Sequence, residues 1–283
     1  MPEPTPHLEP SGPRAGAAAP GVRLHDHTTL EALGGGRYRR TADRTWWGHG
    51  SLFGGYALAL VATAMQAEVG VDRTVRALTM HFLRPLLDGE LGVEVAVERA
   101  GRTVSTLSAR VTSGDRLCGL AIATCAVERS APPFEGAPFP DVPPVGEGED
   151  PELPRAKVPT QDHFRFWPRF STGHAGDVAV TGGWVVPMLG EPWSAGLLLA
   201  VGDLWLPAVY EHLDRPGMAM SSDFTGHIRV PDPAQAVPTG TPVLARLRTR
   251  RSAHGFVDED TDIWAPSGEL VASTRQLRFI SEA

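Results

Sequence analysis

The segment FGGYALALVATAMQA, Phe53 to Ala67, carries no charge and is apolar around the full circumference of the helix it implies. A helix with one apolar stripe can lie on a surface, but a helix apolar on every side must be enclosed. The residues after it supply the enclosure. LTMHFLRP (Leu78 to Pro85) leads into LGVEVAVERA, where Val93, Val95 and Val97 alternate with Glu94, Ala96 and Glu98, the period of two expected of a half-buried strand. TVSTLSARVTSGDRLCGLAIATCAV then reads as two strands around a turn at Ser113-Gly114-Asp115. One curled antiparallel sheet around one central helix is the simplest arrangement that buries all of this.

The same order recurs. LLLAVGDLWLPAVYEHL (Leu197 to Leu213) reads as a second buried helix, followed by SSDFTGHIRVP (Ser221 to Pro231), TPVLARLRTRRSAHGFVDEDTDIW and, after a turn at Pro266-Ser267-Gly268, SGELVASTRQLRFI. Aligning the Gly-Asp pair of the second copy with the Gly-Gly pair of the first sets Asp203 opposite Gly55. Aligning GELVASTRQL with GDRLCGLAIAT sets Gln276 opposite Ala123. Polar groups suited to chemistry therefore stand in one copy only. Between the copies, SAPPFEGAPFPDVPPVGEGEDPELPRAKVP is too rich in Pro and Gly to continue a ladder or a helix. The expected organisation is a disordered tail over 1–22, an N-terminal unit over 23–130, a Pro-rich linker over 131–160 and a C-terminal unit over 161–283.

With 283 residues, 42% of them hydrophobic, the chain can bury a core for a fused pair of such units. Its longest apolar runs fall short of the roughly 20 residues that span a bilayer, and the second contains Asp203, so no membrane segment is expected. The N-terminus lacks the basic start and apolar core of a signal peptide. Cys118 and Cys125 match no metal-ligand spacing, which fits a reduced cytoplasm. A net charge of −7 argues against nucleic-acid partners, because phosphate binding on that scale needs a basic footprint. A phosphorylated small molecule stays open: Arg76, Arg84, Arg99, Arg102 and Arg110 are either a local cationic rim for it or ordinary surface charges.

Several residues stand out before any family is considered. Asp203 amid Leu198, Val201, Leu204 and Leu206 is costly to bury unless it is partnered by an arginine, shifted in pKa or functional. Gln276, taken alone, is an ordinary surface amide, and its pairing with Asp203 is what raises it. His49, in WWGHGSLFGGY, is an acid-base candidate set against a structural loop histidine. Trp46 and Trp47 either line an apolar tunnel or pack in the core. The glycine clusters match neither a dinucleotide loop nor a Walker loop.

The buried, glycine-led helix with its antiparallel sheet, present twice, resembles the double hotdog acyl-CoA thioesterases, particularly the type II medium- and long-chain enzymes. The likeness runs from about Leu24 to Ile280. It rests on GSLFGG, HFLRP and AGRTVST in the first half and on GDLWLP, the strand with Ser221 to Asp223, and GELVASTRQ in the second. It implies an α+β double hotdog fold and hydrolysis of acyl-CoA to free acid and CoA, with no metal or redox cofactor and with further association into homo-oligomers. It also implies that a carboxylate, a hydroxyl residue and a glutamine hold the attacking water, at positions matching Asp203, Ser221 and Gln276. Backbone donors at Gly54 and Gly55 would receive the oxyanion, and Trp46, Trp47, His49 and Arg84 would contact the substrate. The family commonly has threonine where Ser221 stands. A slip of one residue would substitute Ser222, and Asp223 and Thr225 also lie close.

Other readings remain open on the sequence. An acyl carrier protein could present the substrate in place of CoA, which would call for a basic patch at the tunnel mouth. The site could have drifted to non-catalytic acyl binding. A hotdog hydratase is disfavoured, because GDLWLPAVY has no histidine where the GDxNPLH pattern of those enzymes needs one.

Overall fold

The computed structural model describes residues 21–132, 134–152, 158–171, 178–213 and 216–282. The expected tail up to residue 20, and residues 133 and 153–157 of the expected linker, lie outside them. The first half contains α1 (Leu24–Thr28), β1 (Glu31–Gly34), β2 (Arg37–Ala42), α2 (Gly54–Val69), β3 (Thr74–Phe82), β4 (Gly89–Ala100), β5 (Val104–Ser113) and β6 (Arg116–Ala126). The second contains β7 (Phe164–Ser171), β8 (Ala179–Pro187), α3 (Ala195–Gly202), β9 (Pro216–Ile228), α4 (Pro233–Ala236), β10 (Val243–Thr249), β11 (Ser252–Ala253), β12 (Phe256–Trp264) and β13 (Leu270–Glu282).

All thirteen strands join one sheet in the order β1-β2-β4-β5-β6-β3-β9-β13-β12-β10-β8-β7, with β11 beside β12. The halves meet at β3 and β9, antiparallel and in a symmetric register. Thr79 faces Thr225, Leu78 faces Gly226 and Met80 faces Phe224, and the two threonine hydroxyls lie 3.0 Å apart. Carrying that symmetry outward equates Ala123, opposite Leu78, with Gln276, opposite Phe224. It also equates Leu107, opposite Ala123, with Glu259, opposite Gln276. Each half then carries a bulge, after Val75 and before Arg278, beyond which Cys125 opposite Val75 matches Arg278 opposite Ser221.

α2 is buried as its composition requires, with Tyr56 to Ala62, Ala64 and Met65 all in the core. It crosses α3 at small residues: a Cβ on Gly55 would lie 2.8 Å from Ala200 Cα, and one on Gly196 would lie 3.1 Å from Ala59 Cα. These reciprocal contacts equate Gly55 with Gly196 and correct the alignment that set Asp203 opposite Gly55. The second helix is also shorter than the continuous Leu197–Leu213 element expected. It ends at Gly202, Asp203 takes a non-helical conformation as its C-cap, and a separate 3₁₀ turn follows at Ala208–His212.

The face of the sheet away from the helices is covered in the second half by part of the expected linker. Val142 and Val145 pack on Trp167, Trp184, Leu244 and Trp264. The indole N–H groups of Trp184 and Trp167 donate to the carbonyls of Pro143 and Glu149.

Candidate active site

A cavity of about 350 Å³ opens where the two halves meet. Its wall comes from the loop into α2 (Gly48, His49, Ser51 to Gly54), the chain after β3 (Phe82 to Leu86), the segment after α3 (Asp203 to Pro207, Tyr210) and the ends of β9 and β13 (Ala219 to Ser221, Arg278, Phe279), with Val158, Thr160 and Gln161. Asp203 reaches the wall because α3 stops there, and it lies against the N-terminus of α2 from the other half. A Cβ on Gly54 would sit 2.6 Å from Asp203 Oδ2, so a larger residue here would displace the carboxylate. The nearby Gly55 N–H draws the Asp203 pKa down, and the helix dipole favours a negative charge there.

Behind the wall lies a polar network in an otherwise apolar core. Arg278 Nη2 donates to Asp203 Oδ1 at 3.1 Å and to Glu259 Oε1 at 2.9 Å, and Arg278 Nε donates to the same Glu259 oxygen at 3.1 Å. Gln276 Nε2 donates to Glu259 Oε1 at 2.9 Å. Ser221 Oγ donates to Gln276 Oε1 at 2.9 Å and accepts from Arg278 Nη1 at 3.3 Å. The backbone N–H of Ala208 donates to Glu259 Oε2 at 3.0 Å. Asp203, Glu259, Gln276 and Arg278 are all buried.

Burial raises the pKa of Asp203; Arg278 opposes this, Glu259 adds to it, and the Gln276 amide and Gly55 N–H oppose it, leaving the carboxyl above its ordinary range. For Arg278, burial works to remove the proton, but Glu259 and Asp203 outweigh it and hold the guanidinium above its usual value. The arrangement puts a carboxylate of raised pKa and a hydroxyl on one cavity wall, both bound to the same guanidinium, which suits proton abstraction from a bound water.

The structure thus brings Asp203, Ser221 and Gln276 into one cluster, with Asp203 and Ser221 on the cavity wall and Gln276 behind it. Ser222 is the extra residue of the bulge, since Ser221 pairs with Arg278 and Asp223 with Leu277. Thr225 sits at the junction against Thr79, on the strand face it shares with Asp223. Gly54, His49 and Arg84 are on the wall, while Gly55 lies inside at the helix crossing. Arg84 also donates to the Leu117 carbonyl at 2.9 Å. Trp46 and Trp47 are not on the wall: Trp46 stacks on Tyr56 in the core, and Trp47 lies under the Arg44 guanidinium. Arg76, Arg99, Arg102 and Arg110 are also away from it, Arg76 being bound to the carbonyls of Val230 and Arg229.

Glu259 and Arg278 were missed as site residues. A signal for both exists in strand phase. Glu259 alternates with Val257, Thr261 and Ile263 on the buried face of β12, and Arg278 follows Thr274 and Gln276 on β13. Charges in phase with core residues must be partnered.

Residues 43–126 match the family profile described as the acyl-CoA thioesterase N-terminal domain, and residues 133–280 match the acyl-CoA thioesterase C-terminal domain. Among solved structures, a hot dog fold protein of unknown function from Alicyclobacillus acidocaldarius superposes with a TM-score of 0.83 at 22% identity, covering 92% of this chain and 98% of that one. The acyl-CoA thioesterase II TesB2 from Mycobacterium marinum gives 0.73 at 16% identity over 92% and 99%. A tesB protein from Mycobacterium avium subsp. paratuberculosis gives 0.76 at 16% identity over 91% and 98%. At these identities the structures establish the hot dog fold. No curated sequence matches the chain significantly.

Proposed function

The chain belongs to the acyl-CoA thioesterase family, and from that premise we propose that it hydrolyses acyl-CoA to free acid and CoA at the cavity beside Asp203. The observation that carries this reading is the buried carboxylate of Asp203, raised in pKa, at the N-terminus of α2 and joined to Ser221 and Gln276 through Arg278 and Glu259.

In this mechanism a water donates one hydrogen to Asp203 and the other to Ser221, whose own proton is committed to Gln276. The lone pair left on the water faces the thioester carbonyl. As the C–O bond forms, Asp203 takes the proton, and the oxyanion is received at the first turn of α2. Of the two glycines only Gly54 is on the wall, so its N–H is the donor in this reading. Collapse of the tetrahedral intermediate breaks the C–S bond, and the thiolate leaves with the proton from Asp203. No covalent acyl-enzyme is needed.

The same reading treats the fold as two fused hot dog units, 23–130 and 161–283, joined by 131–160. The mirrored strand order and the reciprocal helix contacts support it. It further expects a cytoplasmic protein that associates into homo-oligomers; no helix among the described residues is long and apolar enough to cross a membrane. This reading takes CoA, the substrate of the matching family, in preference to a carrier protein; among the described wall residues Arg84 is the exposed arginine.

The test is release of CoA thiol from short, medium, long and aromatic acyl-CoAs by wild type and Asp203→Asn. Wild-type turnover that falls at least about a hundredfold in the variant is the expected result. An inactive wild type across the panel, or an equally fast variant, would overturn it.

A further inference from the structure

Glu259 has no exposed surface, stands outside the cavity wall and yet accepts four of the hydrogen bonds that order the site. A carboxylate only accepts, so the Gln276 group facing it is the amide NH₂. That fixes the amide's orientation and turns its oxygen toward Ser221. Ser221 then gives its proton to Gln276 and takes a hydrogen bond from Arg278, leaving a lone pair for the cavity. Through two of its other three bonds Glu259 holds the Arg278 guanidinium, whose remaining Nη2 bond goes to Asp203. In the first half the symmetry-related positions Leu107, Ala123 and Cys125 are buried and build no such network. The backbone therefore does not need the charges in order to fold.

We propose that Glu259 is a positioning residue for the hydrolysis: by gripping Gln276 and Arg278 together it fixes which way Ser221 points and how much of the guanidinium Asp203 receives. This rests on the thioesterase reading of the site. The groups that act on Asp203 are Arg278 and Gln276 on β13 and Glu259 on β12; Tyr210 on the 3₁₀ turn acts on Arg278, and His49 and Arg84 are at the wall. α2 presents only Gly54 and Gly55 to it.

Two variants are expected to move the acid limb of the kcat–pH profile in opposite directions. In Glu259→Gln, Asp203 keeps Arg278 and loses a neighbouring negative charge, so the limb moves to lower pH. In the same variant kcat falls about tenfold or more, the scale of one misdirected charge-assisted hydrogen bond, while KM stays within about threefold. In Glu259→Leu with Arg278→Cys, which copies Leu107 and Cys125, Asp203 loses its guanidinium and the limb moves to higher pH. The second variant copies two of the three first-half positions, Gln276 remaining where the first half has Ala123, and it decides the matter if the first does not fold. A profile and kcat unchanged in either folded variant would overturn the proposal. Titration of the Asp203 carboxyl by ¹³C NMR, assigned with Asp203→Asn, separates the two possible failures. Opposite shifts in a protein inactive on every acyl-CoA would overturn only the hydrolysis reading. Turnover with an unmoved Asp203 titration would overturn the positioning role.

Discussion

Ser221 and Ser222 are chemically identical neighbours, and the bulge between Leu277 and Arg278 separates them. Ser221 faces Gln276 and Arg278, whereas Ser222 is the unpaired extra residue of the ladder. Ser221→Ala is therefore expected to lower kcat about tenfold or more, and Ser222→Ala to stay within about twofold of wild type. Equal losses in a thiol-release assay would mean that the hydroxyl of Ser221 does not order the water. Asp203 and Gln276 were legible because polar residues interrupted patterns that were apolar in the other copy. Glu259 was not, since FVDEDTDIW sets it among three aspartates. Those aspartates point the other way and pair with arginines of β10, β13 and the turn after β10, so the acidic run reads as a solvated face and hides the one carboxylate that is buried.

At the level of elements, α2 could be read because every one of its faces is apolar and nothing in it breaks a helix. α3 could not be delimited. The apolar run continues past Gly202 through Leu204 to Val209, while Asp203 and Pro207 end the helix. β7 and β8 were missed as well: Pro168 interrupts one, and Gly182 and Gly183 in the other allow the neighbouring carbonyls of Ala245 and Trp167 to approach where side chains would clash. The helix crossing depends on small residues too. Gly55→Ala would press a methyl group onto the Phe53 ring and to 2.8 Å from Ala200 Cα, and is expected to destabilise the protein by about 1–3 kcal/mol. A urea midpoint equal to that of wild type would show that the two helices can move apart at no cost.

For the whole molecule, the way the first half of the sheet joins the second was not readable from the sequence, because strand pairing across 146 residues leaves no local pattern: Thr79 to Thr225 is that distance. The join is extensive. It combines the β3–β9 ladder with the α2–α3 crossing, and much of the surface it buries is apolar. Chains comprising residues 1–132 and 133–283, produced together, are expected to co-elute on size exclusion and to unfold in one transition. Separate elution of two folded fragments would show that each half is stable without the other.

The position of β3 also matters while the protein is being made. β3 ends the first half of the sheet, and the strand that covers its free edge, β9, is not complete until Ile228 has been synthesised. At translation rates of roughly 5–20 residues per second, the unpaired edge and the apolar surface of α2 wait on the order of ten seconds for their partners. For that interval the nascent chain presents an open template for pairing with other chains. Slower elongation between residues 82 and 228 is therefore expected to lower the yield of folded protein in cells even where the finished fold is equally stable.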